Sequence, residues 1–223
     1  MDKIVAVVDR SGSMSSIKED AQGGLNEFVV EQKKADTGAL FTLAQFDTEY
    51  EVVYNDGDIK LFTEYTLQPR GMTALFDAIG KTANEVKDTK VSGKKIFMII
   101  TDGHENSSRE YNGASVKALI EEMRKNDWEF LFIGADEGAL SQARDIGLDM
   151  NTVFRNDNSG AGIRDSYRTA AFYSSNLRGG VSKNAAIDAM NIEIAASATM
   201  SKAAGFDVRT EDTEDRVQEN SNA

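Results

Sequence analysis

The stretch Asp9-Arg10-Ser11-Gly12-Ser13-Met14 sets a carboxylate and two hydroxyls close together, a supply of hard oxygen donors. It follows directly on the apolar run Ile4-Val5-Ala6-Val7-Val8. A short, largely β-branched run bounded by a turn reads as a strand buried on both faces, as in a parallel sheet. Gly12 and the serines end that strand, and an amphipathic helix follows at once. Three oxygens then stand at the carboxyl edge of a sheet, where open α/β sheets bind their ligands. The plainer reading is that Asp9 and Ser11 shape a turn and Ser16 caps a helix. The loop alone leaves the two even.

Two distant stretches shift the balance. Arg70-Gly71-Met72-Thr73-Ala74-Leu75 is a loop running into a second amphipathic helix, with Thr73 at the junction. Ile96-Phe97-Met98-Ile99-Ile100-Thr101-Asp102-Gly103 is another apolar strand, ending in a carboxylate and a glycine turn. Asp-x-Ser-x-Ser, then a loop threonine, then Asp-Gly after a later strand resembles the metal-ion-dependent adhesion site (MIDAS) of the von Willebrand factor A domain family. The resemblance extends in element order over residues 1–204. The three motifs are specific as a set and weak one by one.

The resemblance implies a metal site made of Asp9, Ser11, Ser13, Thr73 and Asp102, holding Mg2+ or Mn2+. Magnesium is small and hard, takes six oxygens and keeps water ligands readily. Ser11, Ser13 and Thr73 offer neutral hydroxyls. In the resembled family the two carboxylates commonly reach the ion through water or orient its ligands. An ion held mainly by neutral donors keeps much of its charge, so an Asp or Glu of a partner protein would complete it. The function expected is therefore a divalent-metal-dependent protein–protein binding module, with self-association left open. Arg10, Met14, Arg70, Met72, His104, Glu105 and Asp136 flank the motifs and are expected to form the rim that a partner touches. Asp136 also reads as a cap of the helix through Leu140 and Ala143, which is the first expectation for it. His104, the one histidine, reads as a solvent-facing loop residue beside the site.

Enzyme chemistry fits less well. A haloacid-dehalogenase-like phosphatase needs a second aspartate two residues after the first, and Ser11 stands there. Gly12-Ser13-Met14-Ser15 lacks the final glycine of a nucleophile elbow. Neither a Walker loop nor a Gly-x-Gly-x-x-Gly fingerprint opens the first turn. A metal-dependent hydrolase on the same sheet edge, or a scaffold with an empty site, stand as the alternatives.

The elements that must position these residues can be read in order. Ser16 and Glu19 have capping-box spacing, and Ile17, Ala21, Leu25, Phe28 and Val29 share one helical face. Leu40–Phe46 and Tyr50–Tyr54 read as strands joined by so short a connection that only an antiparallel hairpin fits. The second of them is then an edge strand. Asn55-Asp56-Gly57-Asp58 reads as a solvated turn. Further helices carry Leu75, Ile79, Thr82 and Val86, then Val116, Leu119, Ile120 and Met123. Glu129–Ile133 is a buried strand and Thr152–Phe154 a short last one. A helix from Ile163 follows, then one over Ser182–Ala204 with Ile187, Met190, Ile194 and Ala198 facing inward. Alternating strands and helices predict a doubly wound α/β domain, Rossmann-like, with a mostly parallel central sheet, one antiparallel edge strand and helices on both faces.

The composition bounds the partners. Net charge is −12, which argues against nucleic acid or an anionic membrane. The chain has no cysteine, which removes disulfides, thiolate metal sites and cysteine nucleophiles and fits a reducing, cytoplasmic setting. Met1-Asp2-Lys3-Ile4 enters the first strand at once, so no signal peptide is expected. No apolar stretch approaches the ~20 residues that span a bilayer. Residues 205–223 form a second region: Asp207 to Ala223 carries six acidic residues against two arginines. So little apolar surface cannot offset the entropy of ordering, and the tail is expected to be disordered. A tail carboxylate such as Glu211 or Asp212 entering a neighbouring molecule's metal site is a sharper alternative.

Overall fold

The computed structural model describes residues 1–134, 137–155 and 159–203. Asp136 and the tail with Glu211 and Asp212 lie outside the described residues, so those expectations have no structural counterpart here. Six strands form one sheet: β1 (Asp2–Asp9), β2 (Ala39–Phe46), β3 (Tyr50–Asp58), β4 (Lys95–Thr101), β5 (Trp128–Gly134) and β6 (Val153–Arg155). Their order is β3-β2-β1-β4-β5-β6. All pairs are parallel except β2 with β3, which is antiparallel and leaves β3 at the edge. The helices are α1 (Lys18–Gln32), α2 (Leu75–Val86), α3 (Gly113–Lys125), α4 (Glu137–Asp145), α5 (Gly160–Arg178) and α6 (Lys183–Ala203). This is the doubly wound α/β architecture with one antiparallel edge strand.

Side chains alternate across a strand, so β1 feeds two cores. Val5 and Val7 join Leu75, Ile79, Val116, Ile120, Ala139 and Ala143 from α2, α3 and α4 in one buried cluster. Ile4, Ala6 and Val8 turn to the opposite face, and α1 and α5 pack against each other. Every residue of β1 is buried, which is why its sequence carries no polar alternation. Among the described residues no helix is long and apolar enough to cross a membrane.

The α1–α5 contact is close at one point. A Cβ added to Gly24 would stand 2.3 Å from Cδ2 of the fully buried Tyr167, whereas one added to Gly23 meets nothing within 4 Å. Alanine at either site gains up to about 1 kcal/mol of helix propensity. At Gly24 the overpacking costs about 1–3 kcal/mol and outweighs that gain. Urea denaturation should show Gly23→Ala stabilised and Gly24→Ala destabilised; the same sign for both would contradict the packing account.

Three local expectations are corrected. Asn55–Asp58 is not a solvated turn but the continuation of β3, irregular in register against β2. The buried Lys3 ammonium donates to Asp56 Oδ1 and to Thr42 Oγ1, each at 2.6 Å, and this draws the segment back onto the sheet. Ser16 does not cap α1. A 3₁₀ turn over Gly12–Ile17 leads into the helix, and Ser16 Oγ donates back to the Ser13 carbonyl. In α6, Ile194 is 39% exposed and faces outward, and the side chain of Ala198 lies outside the described residues. Backbone contacts divide the chain into two units, Met1–Ile187 and Asp188–Ala223. The first holds the whole sheet and everything discussed below.

Candidate functional site

The five implied ligands stand on three loops at the carboxyl edge. Asp9 closes β1 and is fully buried. Its Oδ1 accepts the Ser11 N–H at 2.6 Å, and its Oδ2 accepts the Thr101 hydroxyl, from the end of β4, at 2.6 Å. Ser11 Oγ and Ser13 Oγ lie 3.0 Å apart, and Ser13 Oγ donates to Asp102 Oδ1 at 2.7 Å. A line of hydrogen bonds through Ser11 and Ser13 thus joins the end of β1 to the end of β4. Thr73 is buried, with its N–H on Asn106 Oδ1 and its carbonyl accepting the N–H groups of Asn106 and Ser107. A Cβ on Gly103 would stand 3.4 Å from both Ser13 Oγ and Thr73 Oγ1, so both hydroxyls flank that glycine. Thr73 is not the cap of α2, whose first helical residue is Leu75. The first turn is capped instead by Glu105 Oε2 on the Phe76 N–H and by Ser108 Oγ on the Asp77 N–H.

The loops are bonded directly to one another. Gly12 N–H donates to the Gly71 carbonyl at 3.1 Å, and Arg70 N–H to the Arg10 carbonyl at 2.7 Å. Gly71 has φ +69°, a left-handed conformation that suits glycine. Asp47, between β2 and β3, is the buried anchor. Its Oδ2 accepts Arg10 Nε at 2.9 Å and Arg70 Nε at 2.7 Å, its Oδ1 accepts the Glu49 N–H, and its carbonyl accepts the Ala74 N–H. Burial alone would raise the Asp47 carboxyl. The Glu49 N–H, Arg70 and the charge of Arg10 outweigh it and hold the group below its ordinary range. Sequence reasoning missed Asp47; its only local signal is that of an aspartate bonding the N–H two residues on in a turn.

The expected rim divides. Arg10 and Met14 are corrected: both are buried, Arg10 by its ion pairs with Asp47 and Glu51, Met14 beneath the 3₁₀ turn. Neither offers a surface to a partner. Met72 is 52% exposed and Arg70 is also exposed, its guanidinium paired with Asp47 and Glu49. His104 is exposed, with Nδ1 3.2 Å from Gln142 Nε2 and its ring over Gly138. Glu105 is half-buried, and both of its oxygens are engaged in the α2 cap and its own loop.

Whether these residues suit a divalent ion rests on their chemistry. Three hydroxyls and two carboxylates converge from separate loops, all oxygen, as a hard cation prefers. Among the described residues no group of three or more His, Cys, Asp or Glu suited to a metal occurs, so any ion must rely on the hydroxyls. Burial, with a smaller contribution from Asp102, pushes the Asp9 carboxyl from 3.8 up to about 6. That is the electrostatic environment a cation would relieve. The donor set fits.

This shift makes a pH prediction for the metal-free protein. The folded state holds the Asp9 proton more tightly than the unfolded state. The associated stability is fully present below about pH 4 and is lost as pH rises through about 6. The difference amounts to roughly 3 kcal/mol. In chelator, wild type should gain about that much relative to Asp9→Asn between pH 7 and pH 4, read from urea midpoints. A constant difference between the two would refute the buried carboxylate.

The sequence profile described as the von Willebrand factor type A domain matches residues 3–168. No curated protein matches the chain by sequence. Among solved structures, proximal thread matrix protein 1 from the mussel byssus, with a zinc-occupied MIDAS motif, aligns with a TM-score of 0.61 at 17% identity. The alignment covers 78% of this chain and 46% of that one. The pilus adhesin SpaC from Lactobacillus rhamnosus GG gives 0.60 at 14% identity, over 76% and 29%. The vWF domain of the type V pili tip protein Mfa5 from Porphyromonas gingivalis gives 0.53 at 13%, over 75% and 94%. At these identities the likeness is one of fold, and the chain spans less than half the length of the first two.

Proposed function

The chain belongs to the von Willebrand factor type A domain family, and from that membership we propose that it is a divalent-cation-dependent protein-binding module. The hydroxyls of Ser11, Ser13 and Thr73 and the carboxylates of Asp9 and Asp102 hold Mg2+ or Mn2+. The ion supplies a Lewis-acidic position that an Asp or Glu of a protein partner completes. The observation that carries this reading is the hydrogen-bonded line from Asp9 through Ser11 and Ser13 to Asp102, with the Thr73 hydroxyl also beside Gly103. The zinc held in the mussel protein's MIDAS motif supports it by analogy of fold.

The exposed residues nearest the three loops, Met72, Arg70 and His104, form the surface such a partner meets. Binding rather than catalysis suits the site, because both Asp9 oxygens are engaged with Ser11 and Thr101 and the one histidine lies over Gly138. A cytoplasmic setting belongs to the same reading and is supported by the absence of cysteine.

The test is thermal unfolding of wild type and Asp9→Ala, each in chelator and in excess Mg2+ or Mn2+. At ~100 times its dissociation constant, a ligand specific to the native state stabilises it by about 2.7 kcal/mol. Wild type should show that rise and Asp9→Ala should not. An unchanged transition in wild type would leave the scaffold reading in its place.

A further inference from the structure

The opposite, amino-terminal edge of the sheet holds a cleft of 660 Å³. That size lies within the range of small-molecule sites. Its walls are the starts of β1, β4 and β5, the loop before β4, and the ends of α5 and α6 that lie between Leu177 and Lys183. Two cations in the wall are already neutralised: Arg178 by Asp2, and Lys183 by both Glu129 and Asp149. Three further cations have no carboxylate partner among the described residues. Lys94 is exposed and its ammonium bonds nothing described. Lys95 Nζ donates to the neutral carbonyl of Asn126 at 2.9 Å. Arg124 NH1 donates to the neutral carbonyl of Gly147, and its guanidinium carbon lies 5.9 Å from the centre of the Phe130 ring. Only the exposed Asp127 stands against them in this wall. A local excess of positive charge is out of keeping with a chain of net charge −12.

Trp128 opens β5 and lines the cleft beside these cations.

We propose that this cleft binds a dianionic phosphate group, free or carried on a small molecule. Lys94, Lys95 and Arg124 supply the compensating charge, and ammonium and guanidinium groups are the usual partners of a phosphate. The site lies at the other end of the strands from Asp9 and needs no metal.

Trp128 is the sole tryptophan and lines the cleft, so its fluorescence provides a probe of binding there. The full chain is titrated in chelator at constant ionic strength with inorganic phosphate, with glycerol 3-phosphate and with acetate, and calorimetry is run alongside. The expected result is saturable binding of at least one phosphate compound, none of acetate, and affinity about tenfold weaker in Lys94→Ala and in Arg124→Gln. Binding of inorganic phosphate assigns the free ion; binding of glycerol 3-phosphate alone assigns a phosphorylated small molecule. No saturable binding of either, equal binding of acetate, or unchanged affinity in Lys94→Ala overturns the proposal. Lys94 is exposed, so that variant decides the matter even where Arg124→Gln fails to fold.

Discussion

Replacing Asp47 by alanine should lower the unfolding free energy by about 3–5 kcal/mol, the range for removing one partner of a buried ion pair. Arg10 would keep only the exposed Glu51 as a partner, while its own guanidinium stays buried. The same carboxylate fixes Arg70, and the Asp47 carbonyl sits under the Ala74 N–H beside Thr73. Loss of these supports should also weaken ion capture about 10- to 100-fold, as for other groups that orient ligands without touching the ion. Urea denaturation in chelator measures the first effect and calorimetric titration with Mg2+ the second. A loss of under about 1 kcal/mol would show that Arg10 finds other solvation and that Asp47 is no anchor.

The second large effect lies at the far edge. Arg178 has a fully buried side chain whose Nε donates to Asp2 Oδ2 at 2.7 Å and whose NH1 donates to the Gln32 carbonyl at 2.5 Å. Burial alone would raise the Asp2 carboxyl, but bonds from Arg178, Thr37 and the Lys94 N–H hold it below 3.8. Its stabilisation is therefore present above about pH 4 and is lost as pH falls below that. Arg178→Met strands a buried carboxylate and should lose about 3–5 kcal/mol near pH 7. With burial then opposed only by Thr37 and the Lys94 N–H, Asp2 takes up a proton more readily, so the deficit should narrow in acid. Asp2→Asn combined with Arg178→Met should recover part of the loss. A double variant as unstable as the sum of the singles would argue that the two residues act independently.

The parts of the site that were legible in the sequence share one property. Each announces itself locally, by residue type at the end of an apolar run. Ile4–Val8 followed by Asp9, and Ile96–Thr101 followed by Asp102, can hardly be anything but parallel strands ending in carboxylates. The antiparallel edge followed in the same way from the brevity of Asp47-Thr48. What was illegible depends on partners far along the chain. Nothing around Arg10 shows that it turns inward to Asp47, 37 residues on. Glu105 looks like a loop carboxylate until the start of α2, 29 residues before it, is seen to need a cap. Asn55–Asp58 has turn composition, and only Lys3, at the far end of the sequence, explains why it continues a strand. Local composition reports which groups can bind an ion; long-range pairing decides which of their neighbours face out.

The backbone bonds that tie Gly12 to Gly71, Arg70 to Arg10, Ala74 to Asp47 and Asn106 to Thr73 have a kinetic consequence. Loops already held in place by folding have no ordering entropy left to lose when a ligand arrives. Ion entry should then be limited by how fast the cation sheds its water, a property of the metal, and not by any closing motion of the chain. Mg2+, which dehydrates reluctantly, should load more slowly than Mn2+ at equal concentration. The amides of those loops should meanwhile exchange with solvent deuterium at nearly the same rate with and without the ion.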